Sequence, residues 1–190
     1  MHRGSGNQDG SHPKGQDVSF LAAIDPGTSG GIAWLTELGE VKTCSMANRG
    51  EFIDALHRYC PWSPIPETHT KIFIEHVTGY IAPRKPRPGE GKEFDLSGSG
   101  FAMFNFGKSA GICFGICEAF SIKPVEVSPK TWQAACFAKK SGSRADWKNE
   151  LKRIAQMRYP NIKATLQNCD ALLLLSYATL VTKGGIQTAP

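Results

Sequence analysis

Three acidic residues stand where a buried strand or helix does not ordinarily hold a charge. Asp25 ends the apolar run Val18 to Asp25 (V-S-F-L-A-A-I-D), Glu75 lies in K-I-F-I-E-H-V (Lys71 to Val77), and Asp170 directly precedes Ala171-Leu172-Leu173-Leu174-Leu175. An ionised carboxylate beside so much apolar surface is costly unless its charge is compensated. A divalent cation does this well: Mg²⁺ takes a few carboxylates and keeps positions open for water and phosphate oxygens. Two such ions suit phosphodiester hydrolysis. Taken singly, each acid has an ordinary explanation, since strand ends are often solvated and Asp170 would favour a helix start through the helix dipole. Taken together, with the turn Pro26-Gly27-Thr28-Ser29-Gly30-Gly31 beside the first, they point to one shared anionic pocket.

The elements that must position these acids follow from apolar periodicity. Val18 to Asp25 reads as a buried strand, Ile32 to Leu35 as a second and Glu40 to Met46 as a third, joined by turns short enough for an antiparallel meander. Glu51 to Tyr59 has helical spacing, and Pro61 to Pro66 breaks it. Lys71 to Val77 is a further buried strand, and Gly79 to Gly100 is an irregular stretch of a length usually tied to function or disorder. In Phe101 to Phe120, Gly107, Gly111 and Gly115 recur every four residues, which predicts a helix with one face packed closely against backbone. Lys108 argues against a membrane-helix reading of the same pattern. Val125 to Val127 is a short strand, and Ser128-Pro129 opens a helix to about Phe137. Ser143 to Tyr159 and Asn168 to Thr182 are two more helices, the first of them basic. This mixed α/β order, three antiparallel strands plus parallel strands flanked by helices, is compatible with an RNase H-like sheet, and it is the three carboxylates, not the periodicity, that point to that topology.

Bulk properties agree with one domain over residues 18–183, preceded by a flexible polar tail (1–17) and followed by a short one (184–190). Twenty-two Lys and Arg against 17 Asp and Glu give a formal charge of +5, which suits a phosphate-rich partner without requiring one. Met1 to Gln16 has no apolar stretch of the signal-peptide kind, and Ala171 to Leu175 is far too short to span a bilayer. A soluble, non-secreted protein is expected, with no membrane partner. Cys44, Cys60, Cys113, Cys117, Cys136 and Cys169 have no zinc-site spacing and are read as reduced core or near-core thiols. This favours the cytoplasm or another reducing, DNA-containing compartment.

Several segments resemble the RuvC-type Holliday-junction resolvases. A-I-D-P-G-T-S-G-G-I-A-W is similar to their first motif, an acid closing strand one before a glycine-bearing hairpin. F-I-E-H-V is similar to the second and C-D-A-L-L-L-L-S-Y-A to the C-terminal acid-plus-helix motif, while V-E-V-S-P-K-T-W-Q and R-A-D-W-K-N-E-L-K-R resemble the segment between. The resemblance runs from about Phe20 to Ala178, and its order and spacing are more specific than any single motif. It implies a homodimeric endonuclease that nicks two strands of a four-way DNA junction symmetrically with Mg²⁺, for which Mn²⁺ would substitute. Carried over by position, Asp25, Glu75 and Asp170 would be metal ligands. Lys148 would contact the scissile phosphate or offset charge in the transition state, or else be one more solvated charge on a basic helix.

Substrate contacts are expected from two basic surfaces. The irregular stretch carries Arg84, Lys85, Arg87 and Lys92 with Tyr80, Phe94 and Phe101, a mixture of cations for phosphates and rings for unpaired bases. The second surface is Lys139, Lys140, Arg144, Lys148, Lys152 and Arg153. Trp132 and Trp147 read as core packing. Two departures from the family pattern stand out. Its usual fourth acid or histidine before the last aspartate is missing, with Leu166, Gln167 and Asn168 in that region, and Gln133 stands where many relatives have lysine. Amides bind a hard cation more weakly than carboxylates. A catalytically weakened junction-binding protein, or a related nuclease for other branched or hybrid substrates, therefore stays open. An actin-like or sugar-kinase phosphotransferase would need a second lobe and a second phosphate hairpin, so no nucleotide cofactor is expected.

Overall fold

The computed structural model of the chain describes residues 20–36, 38–59, 70–76, 97–136 and 142–183, with the backbone alone for 97–99, 101 and 102. The order of elements is β1 (Phe20–Ile24), β2 (Gly31–Leu35), β3 (Val41–Ser45), a 3₁₀ turn (Met46–Asn48), α1 (Gly50–Tyr59), β4 (Thr70–Glu75), α2 (Ser97–Ala119), β5 (Val125–Val127), α3 (Pro129–Ala135), α4 (Arg144–Arg158) and α5 (Cys169–Thr182). The five strands form one sheet in the order β3-β2-β1-β4-β5. β1 pairs antiparallel with β2 and β2 with β3, whereas β4 runs parallel to β1 and β5 parallel to β4. This is the expected RNase H-like mixed sheet, with helices on both faces.

Alternation along β1 divides the core in two. Phe20, Ala22 and Ile24 join Phe52 and Leu56 of α1 and Cys113 and Cys117 of α2 on one face. Leu21 and Ala23 join Phe73, Trp132, Trp147, Leu151 and the apolar length of α5 on the other. Because side chains on a strand alternate with period two, Asp25 and Glu75 follow Ala23 and Phe73 onto the α5 side of the sheet. α5 is buried along most of its length, which explains why its sequence shows an apolar run instead of an amphipathic stripe.

Local signals account for the helix starts. Ser128 caps α3 by accepting from the Thr131 N–H, with Pro129 at the first position. Ser143 and Asp146 form a reciprocal capping box on α4. The expected helix from Phe101 begins earlier, at Ser97. Its glycines differ from expectation: a Cβ at Gly107, Gly111 or Gly115 would meet nothing within 4 Å among the described residues. Among the described residues nothing covers the glycine face. No described helix is long and apolar enough to cross a membrane.

Candidate active site

The register of the central strands brings the first two acids together. Ile24 of β1 is paired with Ile74 of β4, so Asp25 and Glu75 leave neighbouring parallel strands at the same end and on the same face. α5 packs on β1, β2 and β4 and carries Asp170 in its first turn. Charge coupling marks all three as neighbours. The carboxyl of Asp25 is held above its ordinary value by burial and by the charge of Asp170. That of Glu75 is pushed up to about 8 by burial and by the charges of Asp25 and Asp170.

Each carboxylate is held by a group from the chain. The Gly27 N–H donates to Asp25 Oδ1 at 3.1 Å. The indole Nε1–H of Trp132 donates to Glu75 Oε2 at 3.0 Å. Asp170, 7% exposed, accepts from the ammonium of Lys148 and from the thiol of Cys169 at 3.3 Å. Burial disfavours the charged form of Lys148, but the charges of Asp170 and Asp25 and the hydrogen bond to Asp170 keep it above its ordinary value. Of the two readings of Lys148, the structure selects a place beside the acids over a solvated helix face.

The glycines of the first motif have a steric purpose. A Cβ at Gly30 would lie 2.3 Å from the Asp25 carbonyl oxygen and 2.8 Å from Asp25 Cγ, distances no side chain tolerates. A Cβ at Gly31 would lie 2.7 Å from the Gln167 carbonyl oxygen. The turn is thus folded around Asp25 while the start of β2 abuts the turn that leads into α5.

Among the described residues the site has more acid than base: three carboxyl groups against the ammonium of Lys148, which sits on Asp170. Hard oxygen donors with uncompensated charge suit Mg²⁺ or Mn²⁺. The side chains do not, however, form a finished cage. Among the described residues no three His, Cys, Asp or Glu groups are arranged to hold one ion, and one Asp170 oxygen is engaged by Lys148. The electrostatic coupling and the ligand geometry thus describe different degrees of closeness. The acids share a pocket, and cation binding would require their side chains to draw together.

The other expected site residues are distributed unevenly. Arg144 and Lys152 are exposed on α4, one helical turn before and after Lys148. Arg153 is bound through Nε and Nη2 to both oxygens of Glu150. Tyr80, Arg84, Lys85, Arg87, Lys92, Phe94, Lys139 and Lys140 lie outside the described residues, and Phe101 is described by its backbone within α2. The Asn168 amide is engaged within the chain. Its Oδ1 accepts from the Thr165 N–H at 2.7 Å and its Nδ2 donates to Thr43 Oγ1 and the Lys163 carbonyl, bracing the entry to α5. Gln167 is exposed. Trp132 and Trp147 are core residues, as expected, but the bond from Trp132 to Glu75 was not legible. It depends on a contact across 57 residues that no spacing encodes.

Fold and site together define an RNase H-like domain with an acidic centre at the ends of its middle strands. Among solved structures, the chain is similar to Thermus thermophilus RuvC in complex with Holliday junction substrate, at 15% identity and a TM-score of 0.48 over 87% of this chain and 96% of that one. It is similar also to a second Thermus thermophilus RuvC structure, at 15% identity and a TM-score of 0.47 over 87% and 97%. No family model matches the chain, and no curated protein matches it.

Proposed function

We propose that the chain is a metal-dependent endodeoxyribonuclease that resolves four-way DNA junctions by paired symmetric nicks. The observation that carries this reading is the convergence of Asp25, Glu75 and Asp170 on one face of the sheet, electrostatically coupled, with Lys148 among them. The motif resemblance supplies the substrate class. Asp25, Glu75 and Asp170 would hold Mg²⁺ or Mn²⁺, which supplies charge stabilisation and water activation for phosphodiester hydrolysis when bound.

The chain's own groups do the rest. The Gly27 N–H and the Trp132 indole keep two carboxylates oriented. Lys148, displaced from Asp170, offers its ammonium to the phosphate whose negative charge grows during the reaction. Arg144 and Lys152 extend that positive line along α4 towards the DNA backbone. The residues of the second motif's following stretch, Tyr80, Arg84, Lys85, Arg87, Lys92, Phe94 and Phe101, together with Lys139 and Lys140, complete the DNA-binding set.

Symmetric nicking needs two active sites, and a homodimer supplies them. The open face of α2 suits that role: Gly107, Gly111 and Gly115 leave room for close approach, and Phe104 is 70% exposed beside them. The five described cysteines are free and buried, in keeping with the cytoplasm or another reducing compartment.

Labelled four-way junctions incubated with Mg²⁺, beside Asp25→Asn, test the proposal. Symmetric nicks that the substitution abolishes while binding persists support it, and equal cutting of linear duplex points to a general nuclease. A second reading, a junction-binding protein with weakened chemistry, is favoured by the engaged amide of Asn168 and the absence of a three-ligand cage among the described residues. Binding without cleavage in either Mg²⁺ or Mn²⁺ selects it.

A further inference from the structure

We infer that Trp132 is a positioning residue for Glu75, fixing by its indole N–H the one orientation in which that carboxylate is presented to the pocket it shares with Asp25 and Asp170. The inference rests on the reading of Glu75 as a metal ligand.

The chain path makes the contact. Glu75, the last residue of β4, is in register with Val127, the last residue of β5. The chain then turns at the Ser128 cap, and the Trp132 N–H bonds the Ser128 carbonyl at 3.3 Å. Trp132 is therefore one helical turn beyond the residue that follows Glu75's register partner, and its ring returns to the sheet underneath the acid. The ring is wholly buried, 0% exposed, in the cluster formed by Leu21, Ala23, Phe73 and α5. Its Nε1–H is the side chain's single polar group and can only donate. A buried donor must find an acceptor, and this one takes Glu75 Oε2 at 3.0 Å.

Packing thus immobilises the indole, and the indole immobilises the carboxylate. Glutamate has one more rotatable bond than aspartate, so of the three acids it has the most freedom to lose on binding a cation. Groups that hold a ligand from behind are commonly worth about tenfold or more in metal affinity.

The sharpest test replaces Trp132 by β-(3-benzothienyl)alanine, which keeps the ring's shape and lacks the N–H. Mn²⁺ affinity is read by electron paramagnetic resonance without DNA, and unfolding is followed in EDTA. The expected result is a melting temperature close to wild type with Mn²⁺ affinity lower by about tenfold. Unchanged affinity overturns the inference, provided that Glu75→Gln weakens Mn²⁺ binding. If Glu75→Gln also binds Mn²⁺ like wild type, the reading of Glu75 as a ligand fails instead. The indole ¹H–¹⁵N resonance of Trp132 then decides the contact itself. A change in Glu75→Gln sustains the positioning role, and an unmoved signal overturns it.

Discussion

Lys148, in the second turn of α4, places its ammonium on the carboxylate of Asp170, in the first turn of α5. The contact joins two helices that also pack together through the apolar core, Trp147 and Leu151 of α4 against α5. Asp170 is 7% exposed, whereas a third of the Lys148 side chain still reaches solvent. Lys148 therefore acts as the counter-ion of Asp170 beside the other two acids.

Removing that counter-ion leaves Asp170 buried and unpaired. Lys148→Met should lower the stability of the protein in EDTA by about 1–3 kcal/mol, below the range for fully buried pairs because the lysine is partly solvated. Lys148→Met/Asp170→Asn should recover part of the loss. Mg²⁺ should stabilise the single variant at least as much as wild type, since the ion no longer competes with an ammonium for Asp170. Urea titrations with and without Mg²⁺ measure all three. Equal stability of Lys148→Met and wild type in EDTA would show that the pair contributes nothing.

Glu75 gives a pH signature. Burial and the charges of Asp25 and Asp170 push its carboxyl from an ordinary 4.5 to about 8, and Asp25 moves in the same direction. A carboxyl raised in the fold is favoured there in its protonated form. Its contribution to stability is full below the unfolded value and is lost as pH rises through about 8. The melting temperature in EDTA should thus fall as pH rises across that interval. Glu75→Gln, which has no proton to lose, should flatten the profile, and Mg²⁺ should flatten it in wild type by favouring the ionised form. A metal-free profile that is level in wild type, or equally steep in Glu75→Gln, contradicts this.

The glycines separate into two kinds with opposite expected effects. Gly30→Ala would put a methyl group 2.3 Å from the Asp25 carbonyl oxygen, so a loss of about 2–4 kcal/mol is expected, along with the geometry of Asp25. Gly111→Ala on the open face of α2 has space among the described residues and should gain about 0.5–1 kcal/mol from helix propensity. If a second copy covers that face, Gly111→Leu should weaken self-association while leaving the monomer folded. Thermal unfolding and sedimentation equilibrium distinguish the outcomes. A stable Gly30→Ala would mean the turn is not folded tightly around Asp25.

The acids were legible because a charge at the end of an apolar run is expensive; that Asp25 and Glu75 share a face of the sheet follows from the register of β1 with β4. The strands β1 to β3 were legible from short apolar runs and the turns between them, and α4 from its amphipathic spacing and the proline that follows it. What was hidden is what depends on contact at a distance. The hold of Trp132 on Glu75 crosses 57 residues, and Asn168 serves as a brace through Thr43, 125 residues away. The glycine series of α2 reports that a face can be approached closely, not which surface approaches it.

The five described thiols should be inert in the native fold, as a Cys60→Ser background, which leaves only these five, will show. Burial raises Cys44 to about 11 and Cys113, Cys117 and Cys169 to about 12, and pushes Cys136 upward as well. Reaction requires thiolate and access, and these five have neither. A disulfide reagent such as DTNB should leave them unmodified over times in which the guanidinium-unfolded chain reacts completely. Rapid labelling of Cys169, whose thiol contacts Asp170, would show that the start of α5 opens readily.

Arg144 and Lys152 separate the proposed DNA surface from ordinary helix decoration. Both are exposed and lie one turn on either side of Lys148, whereas Arg153, equally exposed in sequence terms, has its charge matched by Glu150. A cation that contacts phosphate releases counter-ions, so its removal lowers the slope of log affinity against log salt by about 0.9 on a duplex arm. Arg144→Ala and Lys152→Ala should each show that loss in junction binding measured by fluorescence anisotropy in EDTA, with affinity weakened alike for different junction sequences. Arg153→Ala should change the slope far less, because its guanidinium already has a carboxylate. Equal slopes for all three variants would mean that α4 meets solvent instead of DNA, and the line of charge through Lys148 would end at the pocket.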